Sequence, residues 1–228
     1  MQNEILLAAL RNETGQVQRL LNSGTDVDTT DSNGRTPVML AARFGSVEAL
    51  RLLIERGANL ERRSGLGLTP LRNAVEHRQP EALAVLLQSG ANPNEQYPGD
   101  AEPTPLMKAA ATSSVEVLAT LLQYGADPNQ TAPNGYTALH KAAYSGDAFT
   151  IQLLLESGAE IDARDRDGDT PLLWAAWKSR TENALLLLNR GADPQAKNQM
   201  GETPLSYARQ NQDIELVRRI EEMQASRN

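Results

Sequence analysis

Residues 137–171 read TALHKAAYSGDAFTIQLLLESGAEIDARDRDGDTP, and this stretch holds one complete structural period followed by the start of the next. Thr137 supplies a side-chain oxygen able to cap a helix N-terminus, and at Thr170-Pro171 the proline gives up an N–H that a first helical turn leaves unpaired anyway. The pair Ala142-Ala143 lets the short first helix lie close to its neighbours. After the turn at Gly146-Asp147, the apolar run Ile151 to Leu155 gives a second helix a buried stripe. Gly158 then ends that helix in the left-handed conformation. The polar, Asp- and Gly-rich segment up to Asp169 is a turn.

Worked outward, the same signals recur along the chain. Helix starts fall at Thr36-Pro37, Thr69-Pro70, Thr104-Pro105, Thr137-Ala138, Thr170-Pro171 and Thr203-Pro204, at intervals of 33, 35, 33, 33 and 33 residues. Terminal glycines recur in phase at Gly24, Gly57, Gly90, Gly125, Gly158 and Gly191. Small residues form a third register at Ala8-Ala9, Ala41-Ala42, Ala74-Val75, Ala109-Ala110, Ala142-Ala143 and Ala175-Ala176, ending with Ala208-Arg209. Three registers with one period describe a helical repeat array, whose units bury their apolar faces by stacking.

The Thr-Pro-Leu starts and the Gly-Ala-Asn/Asp-Pro-Asn ends resemble the ankyrin repeat family over nearly the whole chain. That resemblance implies an all-α solenoid of stacked helix-turn-helix units, with β-hairpin-like tips and a concave inner face. It gives about seven repeats in a single domain: an N-terminal capping unit over 1–28, five central repeats over 29–200 and a C-terminal capping unit over 201–228. The 35-residue interval places two extra residues near 94–103, where Pro93, Pro98, Pro103 and Pro105 surround Tyr97. Such a tip is expected to be stiff and extended. It is read either as a contact finger presenting Tyr97 or as a tolerated loop insertion. Arg78-Gln79-Pro80 stands where other repeats carry Gly45-Ser46 or Gly146-Asp147, which leaves the local geometry there open.

Composition narrows the function. The 228 residues include no cysteine, so disulfides, thiol catalysis and thiolate metal sites are excluded. With 22 Lys+Arg against 29 Asp+Glu the net charge is -7, which repels phosphate backbones and suits a basic partner. No nucleic acid and no membrane are expected as partners. The apolar run Ile5 to Leu10 is six residues preceded by Glu4, unlike a secretory leader, and a cytoplasmic location is expected. The run Asp165-Arg-Asp167-Gly-Asp169 departs from a calcium loop, having Thr170 and Ala176 where Gly and Glu are required, and reads as a turn. His140 occupies a family position where the imidazole bonds to the repeat's own framework, and His77 has no paired nucleophile or second ligand in the sequence. Neither a catalytic residue nor a metal or cofactor site is assigned.

In this family partners commonly use the tips and the inner face of the first helices. The positions flanking the alanine pairs carry aromatics mainly in repeats five and six. Aromatic residues are only 4% of the chain, so the grouping of Trp174 and Trp177 with Tyr136 and Tyr144 selects a candidate hot spot. Trp174 and Trp177 are three residues apart and should neighbour one another on a helix. Lys141, Lys178 and the acidic tip Asp165, Asp167 and Asp169 would form its polar rim. The competing reading wedges Trp174 between repeats as packing. Phe44, with Leu66 and Leu68, makes a second patch, and Tyr97 completes the candidates.

The expected function is non-catalytic binding of a protein partner through the concave face and tips, as adaptor, scaffold or sequestering protein, with a monomer when free. Two alternatives remain at this point: a dedicated inhibitor or immunity-type protein that occludes an enzyme, and a self-assembling structural protein using Ile5 to Leu10.

Overall fold

The computed structural model describes residues 2–97, 99, 103–145 and 147–225. Residues 1, 98, 100–102, 146 and 226–228 lie outside the described residues, so Pro98 and part of the 94–103 insertion expected to be stiff are among those not described. Among those described, the chain forms helices and no strands. In chain order the helices are α1 (Gln2–Leu10), α2 (Thr14–Asn22), α3 (Pro37–Phe44), α4 (Val47–Glu55), α5 (Pro70–Glu76), α6 (Pro80–Gln88) and α7 (Pro105–Ala111). They continue as α8 (Val115–Gln123), α9 (Ala138–Ser145), α10 (Ala148–Glu156), α11 (Pro171–Trp177), α12 (Thr181–Asn189), α13 (Pro204–Gln210) and α14 (Ile214–Ala225). This is an all-α repeat solenoid.

The helix starts follow from the predicted caps. Oγ1 of Thr36, Thr69, Thr104, Thr170 and Thr203 accepts the backbone N–H three residues on, at 3.0–3.4 Å, and a proline opens each following helix. At Thr137 a histidine takes part instead. His140 Nδ1 accepts the Thr137 N–H at 3.1 Å, and its Nε2 donates to the Asp169 carbonyl at 3.0 Å, joining one repeat to the next. Burial lowers the imidazole pKa, against the Asp169 carbonyl and the Asp165 charge, which raise it.

Two compact units make up the chain, one of 1–98 with 119–126 and the other of 99–118 with 127–228. In the first unit, α1, α3 and α5 pack side by side as one layer and α2, α4 and α6 as the second. Ala41, Ala42 and Ala74 are fully buried where the first-layer helices meet, which is why small residues recur there. Leu50, Leu53, Leu83 and Leu86 from the second layer are also fully buried, each worth about 1.5–3 kcal/mol of transfer free energy. The second unit repeats the scheme, with α7, α9, α11 and α13 in one layer and α10, α12 and α14 in the other.

The run Ile5 to Leu10 is mostly buried. Ile5, Leu6, Ala8 and Ala9 are core residues, while Leu7 is 49% exposed and Leu10 half-buried, because a helical period sends most of the run inward.

The irregular third repeat resolves into an ordinary one. Arg78 has φ +54°, in register with Gly45 at φ +68°, and the same left-handed step is taken by Asn12, Ser113, Ser179 and Gln212. Among the described residues this conformation recurs between the paired helices whichever residue supplies it.

The tips are closed turns. Asp165 N donates to the Asp169 carbonyl at 3.0 Å and Ala132 N to the Tyr136 carbonyl at 2.9 Å. Successive tips are joined by single backbone bonds, Arg166 N to the Asn134 carbonyl at 2.8 Å and Gln199 N to the Asp167 carbonyl at 2.9 Å.

Candidate protein-binding face

The first helices and tips of the second unit bring the aromatic candidates together. Trp174 on α11 is half-buried, and its indole meets Tyr136 at 5.6 Å, His140 at 5.2 Å and Tyr144 at 5.9 Å between ring centroids. The His140 and Tyr144 contacts are edge-on, the geometry the ring quadrupoles favour. Its Nε1 donates to Asp165 Oδ2 at 3.0 Å. Trp174 is therefore mainly a seam residue. Trp177, one turn on at the end of α11, is 52% exposed and touches Tyr144 at 6.1 Å. Tyr144 thus lies against both tryptophans.

The two lysines are held rather than loose. Lys141 Nζ sits 4.8 Å from the Tyr136 ring centroid. Lys178 Nζ lies 4.9 Å from that of Tyr144 and 4.4 Å from that of Trp177. Cation–π attraction of this kind fixes both ammonium groups at the margin of the aromatic face.

On its other flank the face opens into a cleft of about 280 Å³, lined by Asp165, Asp167, Asp169, Leu173, Trp174, Trp177, Met200 and Tyr207. Asp165 is structural as well as charged: its Oδ1 accepts the backbone N–H groups of Asp167 and Asp169 at 3.0 and 2.8 Å. The Asp169 carboxylate accepts from Asn198 Nδ2 at 2.8 Å. Burial raises the Asp169 pKa; the Asn198 hydrogen bond opposes that shift, and the charges of Asp165 and Asp167 reinforce it. The Tyr207 hydroxyl is raised as well, by burial and then by the Asp169 charge. Asp167 is exposed, and its side chain has no hydrogen bond or ion pair among the described residues.

Tyr97, in the first unit, is not an exposed contact finger. It is 5% exposed, its ring lying 4.4 Å from the Arg72 guanidinium carbon and 5.4 Å from that of Arg63. Its hydroxyl is 3.1 Å from Thr69 Oγ1. Two cations and a hydroxyl partner draw the ring into the repeat, so the aromatic in this tip serves packing.

Phe44 is 51% exposed and lines an apolar groove of about 310 Å³ with Leu6, Leu7, Leu10 and Leu40, edged by Asp31, Arg35 and Arg43. Leu66 and Leu68 do not join it there; they line a separate depression formed by the neighbouring tips. The expected patch of Phe44 with these leucines is therefore divided between two adjoining depressions that share Arg35 and Arg43.

Sequence reasoning missed Met200 and Tyr207 as walls of the acidic cleft. Only their register, one repeat after Asp167 and Trp174, could have pointed to them. Glu95 was also missed. Its carboxyl is buried against Thr69, and no periodic signal marks it.

Residues 5–97 and 106–198 match the family model for ankyrin repeats in three copies, and residues 73–122 match one for ankyrin repeats in many copies. The chain belongs to the ankyrin repeat family. No curated protein matches its sequence. Among solved structures, the ankyrin repeat domain of Bcl-3 is 29% identical with a TM-score of 0.81, covering 94% of this chain and 97% of that one. The human ASB11 ankyrin repeat domain is 27% identical with a TM-score of 0.78, covering 89% of this chain and 90% of that one. A third similar chain comes from the Bdellovibrio bacteriovorus predatory endopeptidase in complex with an immunity protein. It is 27% identical with a TM-score of 0.73, covering 82% of this chain and 97% of that one. Ankyrin repeats are generally protein–protein interaction modules, and the fold is typically non-catalytic. Among the described residues, no helix is long and apolar enough to cross a membrane.

Proposed function

We propose that this chain is a non-catalytic module that holds a protein partner on the aromatic face of its second unit. The observation that carries the reading is Trp177, half exposed beside Tyr144 with Lys178 over both rings and an acidic cleft on the other flank. An exposed indole in a packed setting, rimmed by fixed charges, is the composition of an interface hot spot. A scaffold with most of its polar groups already paired loses little conformational freedom on binding. The face presents no assembled nucleophile and base; the buried His140 is committed at both ring nitrogens.

The test compares the wild-type chain with a folded Trp177→Ala/Tyr144→Ala variant in affinity capture from the native source, followed by titration of the recovered protein. The reading expects a partner held by the wild type and lost or weakened at least tenfold by the variant. Equal retention by both moves the site away from this face.

A second reading, a dedicated inhibitor of an enzyme, draws support from the likeness to the chain in the endopeptidase–immunity protein structure. It requires that the captured partner be an enzyme and that a stoichiometric amount of this chain stop its turnover. An adaptor would leave that turnover unchanged.

A further inference from the structure

The acidic cleft differs in kind from the apolar groove beside Phe44. Its lining holds three aspartates and no lysine or arginine, while Trp177 and Met200 stand exposed at 52% and 75%. In the apolar groove beside Phe44, by contrast, the one aspartate, Asp31, is paired with Arg35 at 2.7 Å, and Arg43 lies over the Phe44 ring, so that groove offers no unpaired carboxylate. Neither cation next to the cleft residues in the chain lines it: Lys178 is held over the Tyr144 and Trp177 rings, and the Arg166 guanidinium, between Asp165 and Asp167, donates to the Pro133 carbonyl at 3.0 Å.

The carboxylates divide their work. Asp165 is occupied by two backbone N–H groups and the Trp174 indole, and Asp169 by Asn198. Asp167 remains with an exposed carboxylate that has no hydrogen bond or ion pair among the described residues. A planar cation entering here would meet an uncompensated carboxylate, an indole surface and a flexible thioether together. Of the protein side chains, only the guanidinium of arginine is both flat enough to stack on an indole and forked to engage a carboxylate at two points. Its aliphatic stem would lie along Met200, which lines the same cleft and is 75% exposed.

We propose that the cleft walled by Asp167, Asp169, Trp177 and Met200 is the receptor for an arginine side chain of the protein partner. This rests on the binding-module reading and deepens it: the partner presents a basic residue to this face, in keeping with the net charge of -7.

The experiment uses the intact chain and N-acetyl-arginine-N-methylamide as probe. The chain has two tryptophans, so its indole N–H groups give two side-chain resonances in a ¹H–¹⁵N spectrum, assigned with Trp177→Ala. The expected result is a saturable shift of both resonances, weakened at least about fivefold in Asp167→Asn, as for loss of a charge-assisted hydrogen bond. The matching citrulline compound, uncharged and of the same shape, should give no saturable shift, and the lysine compound should bind more weakly than arginine. Thermal melting of Asp167→Asn confirms folding, since that side chain is exposed. Equal shifts with citrulline, equal or tighter binding of lysine, an unchanged affinity in Asp167→Asn, or the absence of saturable binding would each overturn the assignment. If the arginine compound fails while Trp177→Ala/Tyr144→Ala still loses the partner, the binding-module reading stands and only the arginine receptor falls.

Discussion

Thr69 Oγ1 donates to Glu95 Oε1 at 2.7 Å, tying a helix-start threonine to a carboxyl in the following tip. Burial pushes the Glu95 pKa up to about 7, against the Thr69 hydrogen bond and the Arg63 and Arg72 charges, which lower it, and with the Glu61 charge, which raises it. Because the folded pKa exceeds the usual value of 4.5, the folded state binds the proton more tightly. The resulting stability is complete below pH about 4.5 and is lost as pH rises to about 7.

The Glu95→Gln variant should therefore be the more stable protein above neutrality, by on the order of 2 to 3 kcal/mol. Its advantage should shrink on acidification towards pH about 4.5. Chemical unfolding of both proteins across this range measures the difference, and a constant gap between them would contradict the shift.

Gly125 has φ +85° at the end of a second helix, and an added Cβ would meet nothing within 4 Å. Gly125→Val should still lower the melting temperature, because the cost of about 1–2 kcal/mol lies in the backbone conformation alone. At Gly135, with φ +83°, a Cβ would approach Arg166 N to 3.0 Å and the Asp165 Cα to 3.1 Å in the next tip. Gly135→Ala should cost more than Gly125→Ala for that reason, as comparison of the two melts would show.

Ser179 occupies the left-handed step between α11 and α12 with φ +53°, where the equivalent residue between α3 and α4 is Gly45. Ser179→Gly removes the strain of that conformation and is offset in part by the greater freedom of glycine in the unfolded chain. A net gain of about 0.5 kcal/mol is expected, which calorimetry should register as a rise of roughly 1–2 °C.

The two tryptophans should separate stability from recognition. Trp174→Phe leaves Asp165 Oδ2 without its indole donor and should cost about 1 kcal/mol of stability. Trp177→Ala removes a half-exposed ring and should lower stability by less than that while weakening partner binding. If Trp177→Ala proves the more destabilising of the two in denaturant, Trp177 belongs to packing.

Periodic features were readable because they are local. A threonine before proline, a pair of small residues and a glycine after an apolar run each specify conformation within one or two turns, and their 33-residue recurrence specifies stacking. The aromatic group was also legible, since register places Tyr144 and Trp177 at corresponding points of successive repeats. The fate of Tyr97 was not, because it turns on Arg72 and Arg63 from the preceding repeat reaching its ring. Nor could the chain order alone say that Phe44 and Leu66 face different depressions.

By itself, then, the sequence determined the repeat, its helix boundaries and its non-thiol, acidic character, all consequences of local conformational preference and composition. Only the tertiary structure decided which aromatics remain exposed and which carboxylates stay unpaired. Burial of Tyr97, the brace between Trp174 and Asp165, and the open carboxylate of Asp167 depend on which side chains of adjacent repeats meet, and sequence spacing within one repeat does not encode that meeting.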